Sequence, residues 1–460
     1  MKKLLFTLIV LTIISCAKEE KPVDYVVFSG KIENPDGGKF SVRSSTKVLK
    51  DFHVMEDGSF TDTLKNIEEG YYTFKYANES SSLYLKPGFN INLSINPNEF
   101  DESIIYTGNG SKENNYLAQK LLNEEALGNI SSYQYLGTLN ENEFVHKMDS
   151  VKVLKTNYLE AQTDLDDNFI VLERGSILYA WANKMYDFEA YKHYVDKNNG
   201  FKVSDDYKNF TKDLNIEDES LIQVNDYKYY LKKHYNMLIS KASTEDTSDR
   251  QTAYLTMVSK EVKSPKIKEY LLYADAFYGI SYTENLQGYY DVFMANSIDE
   301  EHKKDITQKY NKLIKVSKGQ PSPKFIDYEN YAGGTTSLDD LKGKYVYVDV
   351  WATWCGPCIR EIPSLKKVEK QYHDKNIAFV SMSVDRKTDY DKWRKMVEEE
   401  ELSGIQLYAP KGNKSEFYTN YGIMGIPRFI LIDPEGNIVN SNAPRPSSKK
   451  LTETFEELGI

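Results

Sequence analysis

The stretch of sequence that decides the fold is KYVYVDVWATWCGPC, residues 344–358. Its first half is a β-rich, mostly apolar run, and its second half contains two cysteines with two residues between them, Cys355 and Cys358. A Cys-x-x-Cys that follows a strand and opens a helix has the setting that redox chemistry needs. We therefore predict a strand at 344–350 and a helix that begins at Pro357.

The predicted start of this helix favours a reactive Cys355. Unpaired backbone N–H groups and the helix dipole stabilise negative charge in the first turn, which favours thiolate over thiol. A lowered thiol pKa allows a cysteine to attack a disulfide at neutral pH. Cys358, one turn further along, is expected to be less exposed and close enough to resolve a mixed disulfide.

Two other roles for the pair have to be considered. A zinc site would need two further ligands, but the third cysteine is the distant Cys16 and the nearest histidine is His373. We expect no metal and no other cofactor. An inert structural disulfide remains an alternative, although the flanking residues argue against it.

The sequence downstream of a linker with Pro321 and Pro323 alternates between strands and helices. Further strands are predicted at 377–384, 405–408, 428–432 and 437–440, with helices at 357–372, 389–402, 415–421 and from residue 447. Alternation that ends in a hairpin predicts an α/β sheet, here assigned to a domain at 319–460.

The upstream sequence shows two other patterns of secondary structure, so the chain is predicted to be multidomain. Residues 24–110 contain six short β-rich runs separated by turn formers, at 25–29, 39–43, 52–55, 71–76, 83–85 and 91–95. This pattern predicts a small antiparallel sandwich or barrel. Residues 111–318 are poor in Gly and Pro and carry apolar residues at helical spacing, which predicts a helical domain of six to nine helices.

The N-terminus is predicted to be a targeting segment at 1–16. It begins with Lys2 and Lys3, continues with an apolar run at 4–14 that is too short to span a bilayer, and ends at Cys16. This end resembles the lipobox of bacterial lipoproteins, whose cysteine is lipidated. The alternative is a plain signal peptide with an incidental cysteine.

Lipidation of Cys16 would leave Cys355 and Cys358 as the one cysteine pair of an exported protein, which favours a redox role over a structural one. The predicted location is the cell envelope, through a lipid anchor. Residues 18–20, Lys-Glu-Glu, resemble a surface-export signal, so the protein would lie on the periplasmic side of the outer membrane or at the cell surface. A solvated tether is an equally good interpretation of these three residues.

The charge of the chain argues against nucleic acid as a partner. The formal net charge is -11, and no run of Lys or Arg interleaved with aromatic residues occurs. An acidic chain is repelled by a phosphate backbone.

The region 346–363 resembles thioredoxin and, more specifically, its TlpA/ResA-like relatives. The resemblance continues at 425–436, where Gly-Ile-Pro-Arg is followed by Ile-Leu-Ile-Asp, and it covers about 319–460. It implies a thiol-disulfide oxidoreductase with a thioredoxin-like fold. It also implies that Asp349 is a buried acid that accepts a proton from Cys358; an ordinary strand-end carboxylate is the alternative.

The same resemblance implies a surface that binds the substrate. Pro427 would be a cis-proline that faces the cysteines and turns the backbone of Ile426 towards an extended substrate strand. Gly356 and Pro357 would belong to this surface, and Trp354 would shield it, with a core position as the alternative for the tryptophan. Segments at 82–88 and 106–110 resemble a domain of unknown function that precedes TlpA-like domains.

The predicted activity is reduction of disulfides in exported proteins, with a membrane dithiol as electron donor. The Gly-Pro pair between the cysteines is the dipeptide of thioredoxin, whose potential is about -270 mV, against about -120 mV for the oxidant DsbA. An isomerase or an oxidant remains an alternative. Another is a lipoprotein that binds a peptide or glycan and uses its thioredoxin-like part mainly as a scaffold.

Overall fold

The computed structural model describes residues 23–45, 47–197, 200–242 and 249–460, so the predicted signal peptide, lipobox and Cys16 lie outside it. The chain forms two compact units. The first reaches Leu214 and includes Ser220–Tyr230, and the second comprises Asn215–Glu219 and Leu231–Ile460. The limits of these units differ from the predicted domain boundaries of 24–110, 111–318 and 319–460. The division into three domains therefore stays a prediction.

The predicted fold class is confirmed, because β-sheets at the N-terminal end are followed by helices and then by an α/β region. The strands of the first unit are β1 Tyr25–Ile32, β2 Phe40–Arg43, β3 Val48–Phe52, β4 Ser59–Lys65, β5 Gly70–Tyr76, β6 Glu79–Leu85, β7 Asn90–Ile95 and β8 Ile105–Asn109. They form two four-stranded sheets, with orders β4-β1-β7-β8 and β3-β2-β5-β6.

Phenylalanines hold these two sheets face to face as a sandwich. Phe28 and Phe60 come from the first sheet, and Phe40, Phe52 and Phe74 come from the second. The rings of Phe40 and Phe60 have centroids 4.4 Å apart, and those of Phe28 and Phe52 are 5.7 Å apart. Aromatic clusters of this kind stabilise a core beyond the area they bury.

Two details of the sandwich differ from the sequence prediction. The sheet is not purely antiparallel, because β1 pairs with β7 in parallel. Strands β4 and β8 were not predicted, since β4 mixes Thr, Asp and Lys with its apolar residues and β8 buries little besides Tyr106. Pairing with neighbouring strands, rather than local composition, makes these segments strands.

The central helices are α1 Ser111–Ala126, α2 Tyr133–Thr138, α3 Glu141–Glu160, α4 Asp167–Val195, α5 Asn225–Ala242, α6 Arg250–Glu261, α7 Pro265–Gly279, α8 Leu286–Asn296 and α9 Glu300–Leu313. Over the residues that the structure describes, this number agrees with the predicted six to nine. The division between the two units falls inside α5. No helix within the described ranges combines the length and the apolar character needed to cross a membrane.

The C-terminal region is built on one seven-stranded sheet. Its strands are β9 Tyr328–Asn330, β10 Thr335–Thr336, β11 Tyr345–Trp351, β12 Ile377–Ser383, β13 Ile405–Tyr408, β14 Arg428–Ile432 and β15 Ile438–Asn440. The order is β10-β9-β13-β12-β11-β14-β15. Its helices are α10 Gly356–Gln371, α11 Tyr390–Glu399, α12 Glu416–Asn420 and α13 Lys449–Glu457. The short strands β9 and β10 were not predicted.

Both faces of the central strand β11 are covered. Tyr347 packs on one face with Leu365 of α10 and Phe455 of α13. Val350 packs on the opposite face with Trp393 of α11. Strand β11 is parallel to β12 and antiparallel to β14, so it lies inside the sheet and carries the chain directly to the cysteine pair.

Candidate redox site

Cys355 and Cys358 are joined by a disulfide at the start of α10, with Cα atoms 5.2 Å apart. Cys355 is the N-cap residue, and its Sγ accepts a hydrogen bond from the backbone N–H of Cys358 at 3.2 Å. Gly356 and Pro357 occupy the first helical positions, where proline removes no intrahelical hydrogen bond. The Cys355 sulfur therefore lies at the positive end of the helix dipole.

The exposure of the two cysteines differs from the prediction. Cys358 was expected to be less exposed than Cys355, but both residues are 4 % exposed. Each sulfur covers part of the other in the disulfide, and both belong to one core cluster. The neighbours Gly356 and Pro357 are exposed.

A buried carboxylate that the sequence did not reveal holds the loop before Cys355. Asp385 is fully buried, and it accepts hydrogen bonds from the backbone N–H of Thr353 at 3.0 Å and from the Thr353 hydroxyl at 2.8 Å. The hydroxyl of Ser383 also donates to it, at 2.8 Å. A polar Ser-Val-Asp run at the end of a buried strand was the available signal.

Asp349, the predicted buried acid, lies on β11 in the sheet interior. Its Oδ1 atom has no hydrogen-bond partner among the described residues. Burial raises the pKa of Asp349 to about 8, and the nearby carboxylates Glu369 and Glu361 act in the same direction. An ordinary strand-end carboxylate would be solvated, so this side chain has the environment of a group that is neutral at moderate pH.

The Ile426–Pro427 peptide bond is cis, as predicted. Arg428 of β14 pairs with Val350 of β11, so Pro427 and Ile426 lie at the edge of the sheet where β11 leaves for Cys355. Ile426 is half-buried and packs against the cluster that contains both cysteines. Ile426 and the cis-proline therefore lie beside the core cluster that contains the redox pair.

Trp354 does not occupy a core position, because 63 % of it is exposed. Its neighbours around a shallow pocket include Thr353, Arg386 and Met396. An exposed indole next to Cys355 leaves an apolar surface available for contact with another molecule.

The residue after the cis-proline is a buried arginine whose role the sequence did not reveal. The Arg428 guanidinium donates to the carbonyl oxygen of Ser281 at 2.7 Å and to Oδ1 of Asn442 at 3.0 Å, and it lies 4.3 Å from the ring centroid of Tyr282. It has no carboxylate partner among these contacts. Arg428 therefore attaches the loop after α7 to the strand that begins at the cis-proline.

Replacing Arg428 by lysine is expected to lower the free energy of unfolding by about 2 kcal/mol, because the single ammonium group of lysine cannot replace the several planar N–H donors of the guanidinium. Urea denaturation would measure the loss. Arg445→Lys is the matched control: that side chain is 54 % exposed and lies 3.7 Å from Glu361, so its change should stay within about 0.5 kcal/mol. Equal losses in both variants would contradict the assignment.

Among the described residues, no group of three His, Cys, Asp or Glu side chains is arranged to hold a metal ion. A disulfide at the first turn of a helix, a buried acid in the preceding strand and a cis-proline on the next strand define a thioredoxin-like redox protein.

Comparison with known proteins agrees with this class. Residues 317–457 match the family model described as Redoxin. The chain is 29% identical over 154 residues to the thioredoxin-like protein YneN of Bacillus subtilis (strain 168), covering 33% of this chain and 87% of that protein. It is 30% identical over 125 residues to the thiol-disulfide oxidoreductase ResA of Bacillus thuringiensis (strain Al Hakam), covering 27% and 69%.

Among solved structures, a thiol:disulfide interchange protein from Bacteroides sp. is 33% identical, with a TM-score of 0.28, and the match covers 31% of this chain and 90% of that one. The chain belongs to the ResA-like family of thioredoxin-like thiol-disulfide oxidoreductases, through its C-terminal third. It is an enzyme of that class.

Proposed function

We propose that this enzyme reduces disulfide bonds in exported proteins, with Cys355 as nucleophile and Cys358 as resolving cysteine. The observation that carries the proposal is the position of Cys355 at the N-cap of α10, where its sulfur accepts the N–H of Cys358. The same donor and the helix dipole would stabilise the thiolate once the pair is reduced.

In the first step the Cys355 thiolate attacks one sulfur of the client disulfide. A mixed disulfide forms, and the other client sulfur leaves as a thiolate. The exposed Trp354, Gly356 and Pro357 on one side and the backbone of Ile426 beside Pro427 on the other would hold the client segment during this step.

In the second step Cys358 loses its proton to the Asp349 carboxylate and attacks Cys355. The protein disulfide forms again and the second client thiolate leaves, so two electrons have passed to the client. The raised pKa of Asp349, about 8, suits a group that accepts a proton near neutral pH. A dithiol carrier in the membrane would then reduce the Cys355–Cys358 disulfide for the next cycle.

The place of action follows from the N-terminal sequence. Lipidation at Cys16 would anchor the protein in the cell envelope, on the periplasmic side of the outer membrane or at the cell surface, and residues 17–23 would serve as a tether. The partners are disulfide-containing exported proteins and the membrane donor.

The midpoint potential of the Cys355/Cys358 pair tests the direction of the reaction. We expect a value close to about -270 mV, measured by equilibrating the full chain with defined thiol-disulfide buffers, together with catalysed reduction of insulin. A value close to about -120 mV would mean that the enzyme oxidises its clients.

A further inference from the structure

A small cavity lies where β11, β12 and β13 face α10, the helix that begins at the redox pair. It offers about 10 Å³ of space for the centre of a water molecule, close to the ~10–15 Å³ that one water needs. Its lining is Asp349, Trp351, Ile362, Leu365, Lys366, Glu369, Ser381, Leu402, Ser403 and Gln406.

The lining is unusually polar for the interior of a sheet. Asp349 pairs with Ser381, and Ser381 pairs with Gln406, so three neighbouring strands place a polar residue side by side in one row. Aligned residues of adjacent strands point to the same face. All three are buried, and the row leads from the centre of the sheet towards the segment that holds Ser403 and Leu402.

Four side chains around the cavity have a buried polar atom without a partner in the described part of the chain. These atoms are Asp349 Oδ1, Glu369 Oε1, Gln406 Oε1 and Trp351 Nε1. Each such atom costs about 1–3 kcal/mol if it stays unpaired. One water can accept from the indole N–H and donate to two of the oxygens, so the cavity has both the size and the chemistry of a buried water site.

Glu369 lines this cavity from helix α10 and is itself largely buried. On α10 it shares one buried face with Cys358, Ile362 and Leu365, at helical spacing. Its Oε2 accepts the hydroxyl of Ser403, which leaves Oε1 for the cavity. Lys366 is half-buried and lines the same cavity. Its ammonium group donates to the carbonyl oxygen of Glu400 at 2.8 Å, at the protein surface.

We propose that Glu369 relays the proton of Asp349 to solvent through a water held in this cavity. The inference rests on the proposed function. After Cys358 gives its proton to Asp349, Asp349 donates that proton to the water, the water donates one of its own to Glu369, and Glu369 releases it to solvent. The water is unchanged, and Asp349 becomes a carboxylate again for the next cycle. Glu369 touches no reacting sulfur, so it is a positioning residue that acts through Asp349.

The charges around the two acids are compatible with such a transfer. Burial raises the pKa of Glu369 as well as that of Asp349, while Ser403 and Lys366 partly offset this for Glu369. Two further titratable groups face Asp349: Glu361 of α10, which repels its carboxylate, and Tyr347 of β11. Arg445 lies 3.7 Å from Glu361 and screens it.

The test is the rate at which the reduced full chain, followed by tryptophan fluorescence, reacts with a disulfide at pH 6 to 9. Glu369→Gln is expected to slow the reaction about tenfold above pH 7. This effect should be smaller than that of removing Asp349, which accepts the proton directly. Added formate should restore the rate of Glu369→Ala, because the shortened side chain leaves room for formate to accept the proton, whereas Glu369→Gln leaves none. Glu369→Asp keeps a carboxylate and is expected to need no formate.

Glu361→Gln is the matched control. Both oxygens of Glu361 accept hydrogen bonds from Ser447 at 3.0 Å, and Glu361 does not line the cavity. This variant therefore removes a repulsive charge near Asp349, together with one acceptor for Ser447 and the partner of Arg445, but leaves the cavity lining intact. It should shift the pH profile without any dependence on formate. Gln406→Leu, which replaces a polar wall of the cavity with an apolar one, should slow the reaction as Glu369→Gln does.

Wild-type chain in the same assay separates the two hypotheses. If it does not react with a disulfide, the proposed function fails and the relay with it. If wild type reacts normally and Glu369→Gln has the same rate and pH profile, or Glu369→Ala is slowed without rescue by formate, the relay alone is wrong.

Discussion

Replacing Cys355 by serine is expected to abolish disulfide reduction, with a loss of at least roughly 10³-fold, whereas Cys358→Ser is expected to stop the reaction after its first step. A serine hydroxyl at the N-cap is not ionised at neutral pH and cannot replace the thiolate. With Cys358 absent, Cys355 can still attack, but nothing releases the client from the mixed disulfide. The second variant should therefore accumulate a covalent complex.

Insulin reduction by the two variants, followed by non-reducing gel electrophoresis and mass spectrometry of any trapped client, would measure both outcomes. Met382→Leu in β12 is a suitable control, because it changes a buried side chain of similar volume in the same core cluster without a thiol. A Cys355→Ser strain that behaves as wild type in every envelope assay would instead favour a binding protein with a thioredoxin-like scaffold.

Replacing Asp349 by asparagine is expected to slow turnover and to stabilise the fold at high pH. Without a carboxylate no group takes the proton of Cys358, so the resolving step should slow roughly 10²-fold at pH 7. Accumulation of the mixed disulfide, measured by quenching at short times, would report on this step.

The stability effect has a definite sign. The pKa of Asp349 is raised from an unfolded value of about 3.9 to about 8. The folded state therefore holds the proton more tightly, and the stabilisation that this provides is complete below about pH 4 and is lost as pH rises through 8. Asparagine does not titrate, so the stability of the variant relative to wild type should rise by on the order of 5 kcal/mol between pH 4 and pH 9.

Urea denaturation of wild type and Asp349→Asn at pH 5, 7 and 9 would measure this difference. It should grow from pH 5 to about pH 8, because over that range the carboxyl group is ionised in the unfolded chain but still holds its proton in the folded one, and it should level off above pH 8. Asp62→Asn is a control, since Asp62 is an acid in the β-sandwich that pairs with Lys50 at 2.6 Å and has its pKa lowered. A difference that stays constant over this pH range would show that Asp349 is not buried as described.

The sequence alone determined the features that depend on local pattern. The resemblance to the thioredoxin family, rather than a local pattern, implied the cis bond at Ile426–Pro427. The apolar run before Cys355, the Cys-x-x-Cys and the alternation after it predicted the strands and helices of the α/β region within a few residues, except for β9 and β10. These features follow from the near neighbours of each residue, so short-range periodicity and motif spacing contain them. The change from a β-rich to a helical sequence pattern near residue 110 was likewise visible in the local sequence.

Only the tertiary structure decided what depends on residues far apart in the chain. The parallel pairing of β1 with β7, the anchoring of Arg428 on Ser281 and the polar row from Asp349 to Gln406 each join segments separated by tens of residues or more. The pKa of Asp349 belongs to the same group, since burial and the charge of Glu369 cause it. Register and burial come from packing the whole chain, and no local pattern specifies them.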